Sequence, residues 1–147
     1  MSKVKTPRII FPEGNDERVI KATQQLLETE VEVELILIGE VDQMSAELAG
    51  APNLTFMGTD DSENSIVQAA KLVSTGKADG IIAGATHSTA DVLRAYIKNI
   101  PLQEGASRAT SCFLMKKANQ RYIFADCGVN IEPTAQILAE TAYLCCQ

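Results

Sequence analysis

The sequence lacks a basic stripe interleaved with aromatic residues, and its net charge is −6. Nucleic acid is held by dense positive charge and stacked rings, so it is excluded as the main partner. Long apolar runs are missing as well. Ile9-Ile10-Phe11, behind a short basic N-terminus, is too brief for a signal-peptide core and far too brief for a membrane span. Residence in the cytoplasm, with no membrane partner, is expected. Cys112, Cys127, Cys145 and Cys146 show no paired ligand spacing, and the one histidine lies far from them in sequence. No metal is therefore expected, and the thiols read as free and buried. No Gly-x-Gly-x-x-Gly run follows the first apolar stretch and no Walker lysine motif is present, which disfavours an unrelated nucleotide-binding domain. Repeats, low-complexity segments and linkers are also lacking, so residues 1–147 read as one domain.

What is present is alternation. Arg8 to Pro12 predicts a strand closed by Pro12-Glu13-Gly14. Asn15 or Asp16 caps a helix running to about Glu30, with Val19, Ala22, Leu26 and Leu27 on one face. Val33 to Ile38 is a strand, Val41 to Ala49 a short helix and Leu54 to Met57 a strand. Asp60 to Glu63 form an acidic cap before a helix to about Thr75, whose inner face is Ile66, Ala69, Ala70 and Val73. A strand with the apolar run Ile81-Ile82-Ala83 follows, then a helix from Ser88 to about Asn99, stopped by Pro101. Arg108 to Met115 and Tyr122 to Ala125 suggest a hairpin, and Pro133 opens the last helix. Such alternation implies a mostly parallel sheet with helices on both faces; the hairpin makes it mixed. Ligands in such folds lie beyond the carboxyl ends of the strands.

Three landmarks fall at those ends: Pro12 to Asp16, Gly84 to Thr89, and Asp126 to Asn130. The second is the richest. Gly84-Ala85 turns the chain, and Thr86, Ser88 and Thr89 bring hydroxyls to a helix start, where free N–H groups and the positive dipole end attract an anion. Arg94 adds a planar fork of donors. Gly84 and Gly128 read as turn glycines, and His87 is assigned to the site without a chemical role. Glu13, Asp16 and Arg18 read as a charge cluster at a helix start. An anionic ligand bearing phosphate is expected.

Phe11-Pro12-Glu13 with Asp16 and Arg18, Lys77-Ala78-Asp79-Gly80, Gly84 to Arg94, and Phe124 to Asn130 with Pro133 together resemble the N-terminal part of the phosphate acetyltransferase/butyryltransferase family. That resemblance implies an α/β fold, a three-layer sandwich with a mostly parallel, mixed sheet, similar to isocitrate/isopropylmalate dehydrogenases. It implies acyl transfer from acetyl-CoA to phosphate, giving acetyl phosphate and coenzyme A; both are substrates, and no cofactor is expected. Gly84, Thr86, His87, Ser88, Thr89, Arg94, Asp126 and Asn130 are the expected substrate contacts, Arg94 by its match to a family arginine associated with coenzyme A. The serine–arginine pair and aspartate usually given catalytic roles lie in a later segment of family members, which are about twice as long. No catalytic residue is assigned here, and the isolated chain is expected to be weak or inactive.

The short link Thr59-Asp60-Asp61-Ser62 is closer to the butyryl-type layout, whereas Gly-Ala-Thr-His-Ser-Thr leans to the acetyl type. The alternative is a non-catalytic module that binds acyl-CoA or pairs with another subunit. A homo-oligomer or a partner supplying the missing domain is expected, with Ile137, Leu138, Ala142 and Leu144 as candidate exposed apolar surface.

Overall fold

The computed structural model describes residues 5–40, 48, 50–60 and 62–146. The sequence reads as one domain; the structure presents two compact units, Met1–Pro101 and Leu102–Gln147.

In the first unit, strands β1 (Arg8–Phe11), β2 (Glu34–Ile38), β3 (Leu54–Met57) and β4 (Gly80–Ile81) make a sheet in the order β3-β2-β1-β4. Every pairing is parallel. Alternate side chains point to opposite faces, and both faces are covered. On one, Phe11, Leu35 and Leu37 pack with Val19, Leu26 and Leu27 of helix α1 (Glu17–Leu27). On the other, Ile10 and Ile38 pack with Ala69, Leu72 and Val73 of helix α2 (Ser65–Ser74). This double burial explains why Ile9-Ile10-Phe11 and Leu35-Ile36-Leu37-Ile38 read as continuous apolar runs.

The helices start where polar side chains replace missing backbone partners. Asp16 caps α1 by accepting from Arg18 N–H, and Asn64 caps α2 by accepting from Ile66 N–H at 2.9 Å. The acidic group expected to cap α2 instead forms a turn, in which Asp60 accepts from Ser62 N–H and Oγ–H. On α1 the buried position is Thr23, not Ala22, and its hydroxyl is satisfied by Val19 O at 2.9 Å. The helix expected over Val41 to Ala49 lies outside the described residues apart from Leu48, which is buried. Helix α3 (Thr89–Asn99) packs on α2. It ends at Ile100, whose extended backbone is the one favoured before proline.

Asp79 closes the opposite edge of the unit, near the start of the strands. Its carboxylate accepts from Arg8 N–H, from the Arg8 guanidinium and from Lys5 Nζ. These bonds, with the Arg8 guanidinium foremost, hold its carboxyl well below the usual range. The Ala-Asp-Gly match is thus a clamp between β1 and β4.

The second unit holds a hairpin, β5 (Cys112–Lys117) and β6 (Gln120–Ala125), and helix α4 (Ala135–Cys145) capped by Thr134. The hairpin forms an antiparallel sheet of its own, so the main sheet is purely parallel where a mixed one was expected. Its two-residue turn places Ala118 at φ +52°, the positive value that tight hairpins need at the first turn position. Phe113, Leu114, Met115, Tyr122, Ile123 and Phe124 are all exposed, on both faces of the ribbon. On α4, Ile137 is buried against expectation, while Leu138 is 50% exposed. The cysteines are free, but Cys112 and Cys146 are exposed and Cys127 and Cys145 half-buried. They differ from the buried thiols expected because they sit on this open ribbon and at the end of α4.

Candidate functional site

In the order β3-β2-β1-β4, successive strands run one way from β1 and then restart on its other side. The crevice of such a sheet opens at this reversal, beyond the carboxyl ends of β1 and β4. Two of the three sequence landmarks, Pro12 to Asp16 and Gly84 to Thr89, are the segments that leave those two strands.

They are joined by one carboxylate. Glu13 Oε2 accepts from the N–H groups of Gly84 (2.9 Å) and Ala85 (2.7 Å). Oε1 accepts from Thr86 N–H (2.7 Å), Thr86 Oγ1 (2.9 Å) and His87 N–H (2.9 Å), and lies 2.9 Å from His87 Nδ1. Glu13 is 6% exposed. Burial alone would push its carboxyl up, but the donors from Thr86, His87 and Ala85 outweigh that and hold it at about 2. The local chain makes this possible. Gly84, at φ +110°, turns the strand end so that successive N–H groups converge. Across the cleft, Gly14 N–H donates to Ile38 O at 2.9 Å, an approach with no room for a side chain, since an added Cβ would lie 2.9 Å from that oxygen.

Arg18 completes the junction by donating to Asp16, at 2.8 Å, and to Ala85 O. The Asp16–Arg18 pair is the expected charge cluster at a helix start. Glu13 adds its charge to that cluster, but its oxygens are taken by the Gly84–His87 loop, so it fills the anion cradle that the sequence leaves for a ligand. The start of α3 is answered internally too. Ser88 Oγ accepts from Asp91 N–H at 3.2 Å and donates to Asp91 Oδ2 at 2.6 Å, so an acidic group already faces the positive end of the helix.

The remaining donors face outward. Arg94, on α3, pairs with Asp91 at 2.8 Å and is otherwise exposed, as is Thr89. Arg94 lines a groove of about 590 Å³ between α2 and α3, with Lys71, Lys98, His87, Asp91 and an apolar floor of Val67 and Ala95. A smaller cavity of about 150 Å³ lies at the strand ends, lined by Glu13, Asp16, Gly39, Thr59, Ser65 and His87 among others. His87 borders both.

Thus Gly84, Thr86, His87, Ser88, Thr89 and Arg94 fall on one continuous edge of the first unit. Asp126 and Asn130 belong to the second. There Asn130 Nδ2 donates to Asp126 Oδ1 at 3.1 Å, and Gly128, at φ +74°, makes the turn between them. The partner that sequence reasoning missed is Glu13 as acceptor for the distant loop. A lone carboxylate after Pro12 carries no mark of what it meets seventy residues later.

Comparison with known proteins identifies the family. The profile of the phosphate acetyl/butaryl transferase family matches residues 1–58 and 58–146. A phosphate acetyltransferase of Bacillus subtilis (strain 168) is 33% identical over 170 residues, covering 94% of this chain and 52% of the relative. Among solved structures, a phosphotransacetylase from Streptococcus pyogenes superposes with a TM-score of 0.78 at 34% identity, over 93% of this chain and 51% of the other. The EutD phosphotransacetylase from Staphylococcus aureus gives a TM-score of 0.71 at 31% identity, over 92% and 50%. The chain spans about half the length of these relatives. The alignment of 170 residues exceeds the 147-residue chain, so the Bacillus protein carries extra residues within the matched region. The two matched stretches meet at residue 58, in the link from β3 to α2. With both the strand-end landmarks and the profile in agreement along nearly its whole length, the chain belongs to the phosphate acetyl/butaryl transferase family.

Proposed function

We propose that this chain supplies the substrate-holding N-terminal part of a phosphate acyltransferase, which moves an acyl group between coenzyme A and inorganic phosphate. The observation that carries the reading is the junction at the strand reversal. Glu13 organises the Gly84–His87 loop, and that loop delivers α3 with Arg94 to the groove beside it. Because Glu13 occupies the loop's N–H groups, the anionic ligand meets side chains instead: Ser88, Thr89 and, above all, Arg94, whose guanidinium suits phosphate. Acyl-CoA enters the groove between α2 and α3, and the acyl phosphate lies toward the loop. Gly84, Thr86 and His87 shape that wall; in the second unit, taken by itself, Asp126 and Asn130 are the proposed substrate contacts.

The finer features belong to the same proposal. The two faces covered by α1 and α2 suit the three-layer sandwich of isocitrate/isopropylmalate dehydrogenase-like proteins. Location in the cytoplasm follows from metabolic substrates, and no helix among the described residues is long and apolar enough to cross a membrane. Acetyl transfer is the first assignment, because the relatives carry that name. The short β3–α2 link at the meeting point of the two matched stretches favours butyryl-type chains as the alternative substrates. The exposed apolar hairpin supports association, with a second copy or with the half of the enzyme that follows in the relatives.

Titration calorimetry with coenzyme A tests the reading. Binding is expected, weakened about tenfold or more by Arg94→Ala, a loss of roughly 1.4 kcal/mol. A coupled assay of the isolated chain is expected to give little turnover. Absence of coenzyme A binding would refute the assignment, and family-like turnover would refute the expectation of an incomplete catalyst.

A further inference from the structure

The four cysteines of the sequence all belong to the second unit, and all four are free thiols. The fold brings two of them together. The chain entering β5 runs beside the last turns of α4, in the same direction. Ser107 N–H donates to Glu140 Oε1 at 2.6 Å and its hydroxyl to Oε2 at 2.7 Å, and Thr110 Oγ1 donates to Thr141 Oγ1 at 3.2 Å. Beyond the two threonines, two residues of chain advance at most about 7 Å and four residues of helix about 6 Å. The two paths keep step, and they carry Cys112 and Cys145 on from that contact. Cys145 lies one helical turn past Thr141 on the same face of α4, and Cys112 is the first residue of β5. Burial pushes the Cys145 thiol up, and the Cys112 sulfur, by charge and by a hydrogen bond, pushes it the same way, with smaller effects from Cys146 and Cys127.

The other two thiols are placed differently. Cys127 is held by the hairpin itself, its N–H donating to Ser111 Oγ at 3.1 Å and its thiol to Phe124 O at 3.0 Å. Cys146 follows Cys145, and adjacent residues of a helix do not face the same way. Within the pair, Cys112 is exposed and Cys145 half-buried.

We propose that Cys112 and Cys145 are a redox pair that closes to a disulfide when the chain meets a peroxide, tying the start of β5 to the end of α4. The exposed Cys112 is the sulfur that peroxide reaches first. As a thiolate it attacks one peroxide oxygen, the O–O bond breaks, and Cys112 becomes a sulfenic acid as water leaves. The Cys145 sulfur then attacks the Cys112 sulfur. The S–O bond breaks, and the hydroxyl departs as a second water with the Cys145 proton. Each sulfur gives up one electron, and the two thiol protons and the peroxide become two waters. An external thiol reverses the closure by exchange.

Mass spectrometry of the oxidised chain tests the pair. The reduced full chain, treated with a slight excess of hydrogen peroxide, should lose two of its four thiols. Trypsin cuts after Arg108, Lys116, Lys117 and Arg121, so the cross-link should join peptide 109–116 to peptide 122–147 until dithiothreitol separates them. Fragmentation of that linked pair, which needs no variant, should place the bond on Cys145. Cys145→Ser should abolish the link, whereas Cys127→Ser and Cys146→Ser should keep it. In denaturing urea the link should form at least about tenfold more slowly, because only the folded chain holds the two thiols at high effective concentration. A bond placed on Cys127 or Cys146, a link that survives Cys145→Ser, a link between chains, or sulfinic acid at Cys112 with no link would each overturn the pairing. Equal rates with and without urea would show that the fold does not bring the thiols together, and the proposal fails.

Discussion

Glu13 and Thr86 meet through two hydrogen bonds to one carboxylate oxygen, from the Thr86 N–H at 2.7 Å and from its Oγ1 at 2.9 Å. The contact ties the exit of β1 to the exit of β4. Replacing Glu13 with alanine would leave the converging N–H groups of the loop without an acceptor. A cost of about 1–3 kcal/mol is expected, because these part-buried donors lose their common partner. Urea unfolding measures it; a change within 0.5 kcal/mol, the roughly neutral range of surface substitutions, would show that the loop holds itself.

The same carboxylate makes stability depend on acid. Burial opposes ionisation, but the Thr86, His87 and Ala85 donors prevail, and the group sits at about 2 instead of 4.5. A folded value below the unfolded one contributes stability that is complete above about pH 4.5 and lost as pH falls toward 2. The expected loss across that window is on the order of 3 kcal/mol. Denaturant midpoints of wild type and Glu13→Gln should therefore converge as pH falls through it. Parallel curves would place the acid sensitivity elsewhere, with Asp16 and Asp79 as the next candidates.

Two glycines should fail for different reasons. At Gly84 an added Cβ meets nothing within 4 Å, so alanine there incurs only the left-handed backbone penalty, about 1–2 kcal/mol. At Gly14 the backbone is ordinary, but the new carbon would lie 2.9 Å from Ile38 O and force β1 and β2 apart at their ends. Gly14→Ala should be the more damaging in thermal unfolding; equal effects would contradict this division.

Tyr96 presents a buried hydroxyl with no hydrogen-bond partner among the described residues. Burial, with help from the Glu13 charge, pushes its ionisation up to about 12. Tyr96→Phe should be neutral or stabilising by up to about 1 kcal/mol, since it deletes an unmet polar group. It should also remove the last step of an ultraviolet tyrosine titration. A clear loss of stability would reveal a partner for that hydroxyl.

Phe113 and Phe124 stand directly opposite one another on the hairpin and are 61% and 57% exposed. Changing both to serine should sharply reduce the fluorescence of an apolar dye bound to the chain. Unchanged dye binding would locate the sticky surface elsewhere.

Much of this molecule is legible in its sequence. The order of strands and helices follows from apolar spacing, and the Ser88 and Asp16 caps lie where the residue types demand. The β4 run Ile81-Ile82-Ala83 reads longer than the strand Gly80–Ile81 it forms, although Ile82 N–H still donates to Ile10 O of β1 at 2.9 Å. The hairpin is found, but its continuous apolar runs suggest strands covered on both faces, and they are open. The loop from Gly84 to His87 reads as an empty anion cradle because its pattern of donors is local. The anion that fills it is a side chain seventy residues earlier, and pairings at that range leave no periodicity to read.

That long separation has a kinetic side. Glu13 cannot find its donors until a loop of some seventy residues has closed and β4 has docked beside β1. Contacts so distant in sequence form slowly, since chain entropy must be lost before they add stability. The cleft is therefore expected to assemble late, after the local β1–α1–β2 contacts exist. Opening of β4 alone would undo it. Amide exchange at Gly84 to His87 would then report the docking of one short strand, well before the rest of the sheet lets go.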